Sequence, residues 1–228
     1  MKSSPALPVQ AVPAKVLGVA LVVAVVASSF FALHSGPVAL NSSATLHFAI
    51  ARDWSAAAIL MLIVRYWERL PYSSLGFYRL IWRDLPFGVG GFIVGIFAFG
   101  IGGLAANALH LGTTQAGIEA IARIPFPTRF ALLLTTGITE EVMFRGFLFE
   151  RVAALARSVP AGALVSLTVF SLGHLSGWGL GGALQITLWT AIVTLIYART
   201  RRLLPCIIMH VLNDGFAFFL APVLFLHR

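Results

Sequence analysis

The sequence predicts an all-α, polytopic membrane helical bundle of about seven transmembrane helices. Three observations predict it. Hydrophobic residues make up 59% of the chain and charged residues only 11%, where a soluble domain carries roughly 25% charged residues; mean hydropathy is +0.92. The uncharged runs approach the roughly 20 residues that cross a bilayer. Most basic residues fall in alternate loops, and so on one side, when those runs are taken as spans. The 228 residues then read as a single membrane domain, 1–228, with no room for a second soluble module. Low hydrophobicity, the mark of disorder, is absent.

The elements follow in order. Residues 16–33 are apolar apart from Gly18, Ser28 and Ser29. They read as a retained first helix rather than a signal peptide. A long basic region with Pro5, Pro8 and Pro13 precedes them, and no clean small-x-small cleavage site follows. Residues 54–64 form a second run, extended upstream by Leu46 to Ala51 across Arg52 and Asp53. The third, 85–109, is uncharged and glycine-rich, and its Gly91 and Gly95 make a GxxxG pattern that permits close helix packing. The fourth, 130–149, is interrupted by Glu140, Glu141 and Arg145; the fifth and sixth, 159–173 and 175–198, flank His174; the seventh, 203–226, is apolar around His210 and Asp214. Between the second and third, Tyr72 to Leu85 mixes Leu75, Phe77, Tyr78, Leu80, Ile81 and Trp82 with Arg79 and Arg83. It reads either as a helix lying in the interface or as a loop with aromatic anchors. Strand signals are absent, and helices satisfy their own backbone in lipid.

The net charge of +8 and the pI near 10.8 would suggest nucleic acid in a soluble protein. Here they follow from the excess of Lys and Arg in cytoplasmic loops, and no nucleic-acid partner is expected. With the N-terminus inside, Lys2, Lys15, Arg65, Arg69, Arg79, Arg83, Arg151, Arg157, Arg199, Arg201 and Arg202 all fall on the cytoplasmic side. Arg52, Arg123, Arg129 and Arg228 fall outside. The expected location is a plasma membrane, bacterial in style. The single cysteine, Cys206, excludes an internal disulfide and a Cys-based zinc site.

Charges inside a span cost about 2.5–3.5 kcal/mol each at a helix centre, and the fourth span carries Glu140, Glu141 and Arg145. Glu141 and Arg145 stand at i and i+4, a favourable spacing for an acid ahead of a base. Glu140 sits about 100° further round the helix and is left to face something else. The later spans offer partners. Phe170 and His174 are i and i+4; His210, Asn213 and Asp214 are i, i+3 and i+4 on one face. A carboxylate beside an imidazole can orient and deprotonate a water. A second imidazole with an amide can stabilise an oxyanion. These are the parts of a hydrolase that attacks an amide with water. Taken singly, a membrane histidine is more often structural, as is the Glu141–Arg145 pair. Their co-occurrence is what favours function. HExxH and GxSxG are both absent. A Ser176–His210 dyad and a Cys206 nucleophile stay open as lesser alternatives.

Glu140-Glu141-Val-Met-Phe-Arg145, Phe170-Ser-Leu-Gly-His174 and His210-Val-Leu-Asn213-Asp214 match EExxxR, FxxxH and HxxxN/D in order. The set resembles the CAAX protease and bacteriocin-processing family, which includes the type II CaaX prenyl endopeptidases. The resemblance covers residues 128–216. It implies a helical membrane fold with a conical cavity and a glutamate-dependent intramembrane endopeptidase acting on a peptide or membrane-protein substrate. Carried over by motif, Glu140 would activate water with His174. His210 and the last motif position would form the oxyanion site, with Glu141, Arg145 and Phe170 supporting. The departure is Asp214 where Asn is often found. A carboxylate donates no hydrogen bond unless protonated, so the amide of Asn213 is the other candidate. No cofactor is expected; zinc held by Glu140, His174 and His210 is the runner-up. Two other functions compete: a non-catalytic immunity or scaffold protein, and a proton-coupled transporter.

Overall fold

The computed structural model describes residue 18 and residues 43–225. The first run, 16–33, lies outside the described residues apart from Gly18, as do Lys2, Lys15, His34, His227 and Arg228. Among the described residues the regular structure is all helical, with no strand.

Helix α1, Ser43–Leu62, runs on into a π-helical turn, Ile63–Trp67. A 3-10 turn at Tyr72–Leu75 leads to α2, Asp84–Ala108, and then to the short α3, Gln115–Ala122. Next, α4, Phe126–Thr135, passes into a π-helix, Thr136–Phe149, and on into α5, Glu150–Ala156. Helix α6, Val159–Gly173, is followed by α7, Leu175–Thr200, and α8, Leu203–Gly215. A π turn at Phe216–Leu220 and α9, Ala221–Phe225, extend α8. Four described segments are long and apolar enough to cross a membrane: Leu46–Trp67, Asp84–Ala108, Leu175–Thr200 and Leu203–Leu224; Val159–Gly173 is a shorter apolar helix. The molecule is an integral membrane helical bundle.

As in the sequence reading, the second span runs across Arg52 and Asp53, which lie inside one continuous helix. Arg52 Nε donates to Asp53 Oδ1 at 2.8 Å, and this pairing lets a buried carboxylate sit in an apolar helix. Of the two readings left open for Tyr72 to Leu85, the loop with exposed aromatic anchors is the one observed: a 3-10 turn at Tyr72–Leu75 and irregular chain lead into α2 at Asp84.

Helix α2 packs along α7 and α8, α6 packs on α7, and the π-helix lies against α8, α1 and α6. The GxxxG pattern works as close packing: a side chain at Gly91 would collide with Ile196 and Met209, and one at Gly95 with Met209 and Trp189. The core joins Leu60, Val64, Phe144, Phe147, Phe170, Trp189 and Met209, among others. A smaller cluster of Leu46, Ile121, Leu132, Leu133 and Phe218 closes the other end.

One end of the bundle is tied by ion pairs. Glu68 after α1 holds the buried Arg151 of α5, which also reaches the Ser74 carbonyl at 3.3 Å. Glu150 holds Arg201 and accepts the Tyr197 hydroxyl at 2.7 Å. Asp84 takes Arg202 at 2.6 and 2.8 Å, and these bonds raise the Arg202 pKa above its ordinary value. The ends of α1 and α7 and the start of α5 thus meet the starts of α2 and α8. This is the grouping that the alternation of basic residues requires.

Candidate active site

The site is built from the π-helix, the end of α6 and the middle of α8. A π-helix forms i→i+5 hydrogen bonds and is rare beyond a single turn, where it often marks a functional site. Here it spans 14 residues. Its entry coincides with threonines that bond back to carbonyls four residues earlier: Thr135 to Ala131 at 2.8 Å, Thr136 to Leu132 at 3.1 Å and Thr139 to Thr135 at 2.7 Å. Such hydroxyls compete for the helix carbonyls and bend the helix. The segment from Thr139 to Phe149 is buried throughout, so its charged side chains face protein.

Glu141 is at the centre. Arg145 Nη1 donates to its Oε1 at 2.9 Å, and His210 Nδ1 approaches the same oxygen at 2.7 Å. Glu141 and Arg145 are each 0% exposed. The second Glu141 oxygen and the Nε and Nη2 of Arg145 are buried without a partner among the described residues, although the Arg145 guanidinium also lies 4.5 Å over the Phe170 ring. With Nδ1 turned to Glu141, His210 presents Nε2 to Glu140 Oε2 at 3.9 Å and to Asp214 Oδ2 at 3.5 Å. Asp214 Oδ2 also accepts the Thr136 hydroxyl at 2.8 Å, and its Oδ1 accepts Asn213 Nδ2 at 3.2 Å. Three carboxylates therefore surround one imidazole.

His174 stands at the C-terminal end of α6. Its Nδ1 is 2.7 Å from the Phe170 carbonyl, and its ring stacks on Phe170 with 4.4 Å between centroids. Phe170 in turn meets His210 at 6.5 Å and Trp189 at 6.4 Å. Trp189 sets its ring edge-on to His210 at 4.8 Å.

Thus Glu140, Glu141, Arg145, His210 and Asp214 form one contact network, with Phe170 packed against it and His174 joined through Phe170. Asn213 reaches the network only through Asp214. Cys206 is buried with its Sγ 3.8 Å from the Val193 carbonyl, packed in the core. Sequence reasoning passed over Thr136 and Trp189. Thr136 stands four residues before Glu140, a spacing that could have singled it out. Trp189 carried no signal. Among the described residues no group of three or more His, Cys, Asp or Glu side chains is placed to hold a metal ion.

A family model described as type II CAAX prenyl endopeptidase Rce1-like matches residues 122–216. Over that stretch the chain is similar to the Rce1-like family. The matched stretch carries every motif residue from Glu140 to Asp214 and leaves α1 and α2 outside it, less than half of the chain being covered. No curated protein and no solved structure matches.

Proposed function

We propose that the chain is an intramembrane endopeptidase of CAAX-protease type in which Glu140 removes a proton from the water that attacks a peptide carbonyl. The observation that carries this reading is the buried set Glu140, His210, Glu141 and Arg145, with Glu140 Oε2 3.9 Å from His210 Nε2. That separation is too long for a hydrogen bond and suits two groups sharing one water.

Each residue then has a task. Glu140 makes no hydrogen bond to another described side chain, so its carboxylate is available as the base. His174, giving its Nδ1 proton to the Phe170 carbonyl, turns Nε2 toward the water it orients with Glu140. His210 donates Nδ1–H to Glu141 and, when doubly protonated, Nε2–H to the oxyanion. The surrounding carboxylates supply the counter-charge for that imidazolium. Asp214, an acceptor toward Thr136 and Asn213, holds His210 rather than donating to the oxyanion. Glu140 finally returns its proton to the leaving amine. No metal enters this scheme. A proton-relay transporter would spread its groups along a path through the bilayer; the clustering around His210 favours hydrolysis.

The substrate class follows the family name: a peptide with a lipid-modified CaaX terminus, or a related membrane peptide. Purified protein in liposomes should cleave an internally quenched prenylated CaaX peptide faster than the unmodified peptide. Phenanthroline or EDTA should leave that cleavage intact. Loss of activity with chelator, restored by zinc, would replace this mechanism with a metal-assisted one. Absence of cleavage with both peptides would give the lead to a non-catalytic role.

A further inference from the structure

We infer that the loop joining α1 to α2 is a binding surface for the headgroups of anionic phospholipids. Two observations carry this, and neither depends on the catalytic reading. The first is a charge imbalance. At the ion-paired end every carboxylate is already taken: Glu68 by Arg151, Glu150 by Arg201 and Asp84 by Arg202. Arg65, Arg69, Arg79 and Arg83 are exposed there, and no carboxylate among the described residues lies within ion-pairing distance of them. Arg157 and Arg199, exposed at the same end, add to the surplus. Counter-charge for this surface must come from outside the described chain.

The second observation is depth. The loop connects two helices long and apolar enough to span, Leu46–Trp67 and Asp84–Ala108, so it lies at the membrane–water boundary. Exposed rings at that level fit it: Tyr66 and Trp67 at the end of the first span and Trp82 in the loop are 72%, 50% and 74% exposed, and amphipathic rings concentrate at headgroup depth. Arg83 sits 5.6 Å from the Trp82 ring. The inner face of the loop is pinned: Leu203 N–H donates to the Gly76 carbonyl at 2.9 Å and the Tyr197 hydroxyl to Leu75 at 3.3 Å. The outward face is therefore held in place before any lipid arrives. Guanidinium groups bind phosphate through two parallel N–H donors, so phosphatidylglycerol fits this surface better than a zwitterionic lipid.

The test uses the full chain in phosphatidylcholine nanodiscs containing a minor fraction of either phosphatidylglycerol or phosphatidylcholine brominated near the headgroup. Tryptophan quenching is read with W82F as the reference. Brominated phosphatidylglycerol should quench Trp82 more strongly, and the preference should vanish in high salt. The R65Q/R69Q/R79Q/R83Q variant should lose it, at about fivefold in affinity per arginine, while Arg123→Gln should keep it. Inorganic phosphate in solution should not compete at millimolar levels if the bilayer lipid is the ligand; competition would reassign the site to free phosphate. Equal quenching by the two lipids, or a preference that survives high salt, would overturn the inference. Because the salt series uses wild-type protein, a poorly folding quadruple variant does not blunt the test.

Discussion

At the scale of single residues, the Glu141 carboxylate is shared between two partners, taking Arg145 at 2.9 Å and His210 at 2.7 Å on the same oxygen. The i,i+4 spacing made the Arg145 half of this legible in the sequence. The His210 half was not, because it joins positions 69 residues apart and depends on how α8 is rotated against the π-helix. Glu141→Gln leaves the fully buried Arg145 without a counter-charge, and breaking such a pair costs about 3–5 kcal/mol. Reduced membrane accumulation and a lower Tm in detergent are the expected outcome. Normal accumulation with activity lost would make Glu141 a direct participant in the chemistry. The choice between Asn213 and Asp214, open in the sequence, turns in our proposal on two contacts: Asp214 lies 3.5 Å from His210, while the Asn213 amide donates to Asp214. Asp214→Ala should therefore reduce cleavage more than Asn213→Ala at equal amounts of folded protein. The reverse order would return the oxyanion role to the amide.

At the scale of elements, the hydrophobic runs gave most boundaries to within a few residues, because span length and charge spacing are properties of composition. The run 85–109 became Asp84–Ala108 and 159–173 became Val159–Gly173. The π-helical winding of Thr136–Phe149 was not legible. An i→i+5 ladder has no composition signature, and it arises from the threonine back-bonds and from burial on every side. Glycines read as packing sites can be tested in pairs. A Cβ at Gly162 would lie 2.6 Å from the Phe149 carbonyl, whereas one at Gly90 meets nothing within 4 Å. Gly162→Val should destabilise the α6 contact by about 1–3 kcal/mol. Gly90→Ala should be neutral or stabilising by up to about 1 kcal/mol. Equal thermal unfolding of the two variants would contradict the packing described for α6.

At the scale of the whole molecule, the alternation of arginines anticipated that the ends of α1 and α7 and the start of α5 gather on one side. The three ion pairs among Glu68, Arg151, Glu150, Arg201, Asp84 and Arg202 show how that gathering is held. Their partners were not legible, since each joins residues distant in sequence. The arrangement predicts sidedness. Cysteines placed at Arg79 and Arg199 should react with an impermeant thiol reagent from the same face of sealed vesicles, and one at Gly112 from the opposite face. Cys206, buried in the core, should stay silent. Labelling of positions 79 and 199 from opposite faces would contradict the bundle. The N-terminus-in orientation, proposed from the same arginines, is read from which face that is.

The central claim is that Glu140 activates water. Glu140→Gln keeps the size of the side chain and removes only the base. Cleavage should fall by about 10²–10⁴-fold, while thermal unfolding and membrane insertion match wild type, since no hydrogen bond to a described side chain is lost and a charge has left the membrane. The deciding measurement is the single-turnover cleavage rate of this variant in liposomes, normalised to folded protein. A rate near wild type would contradict the account.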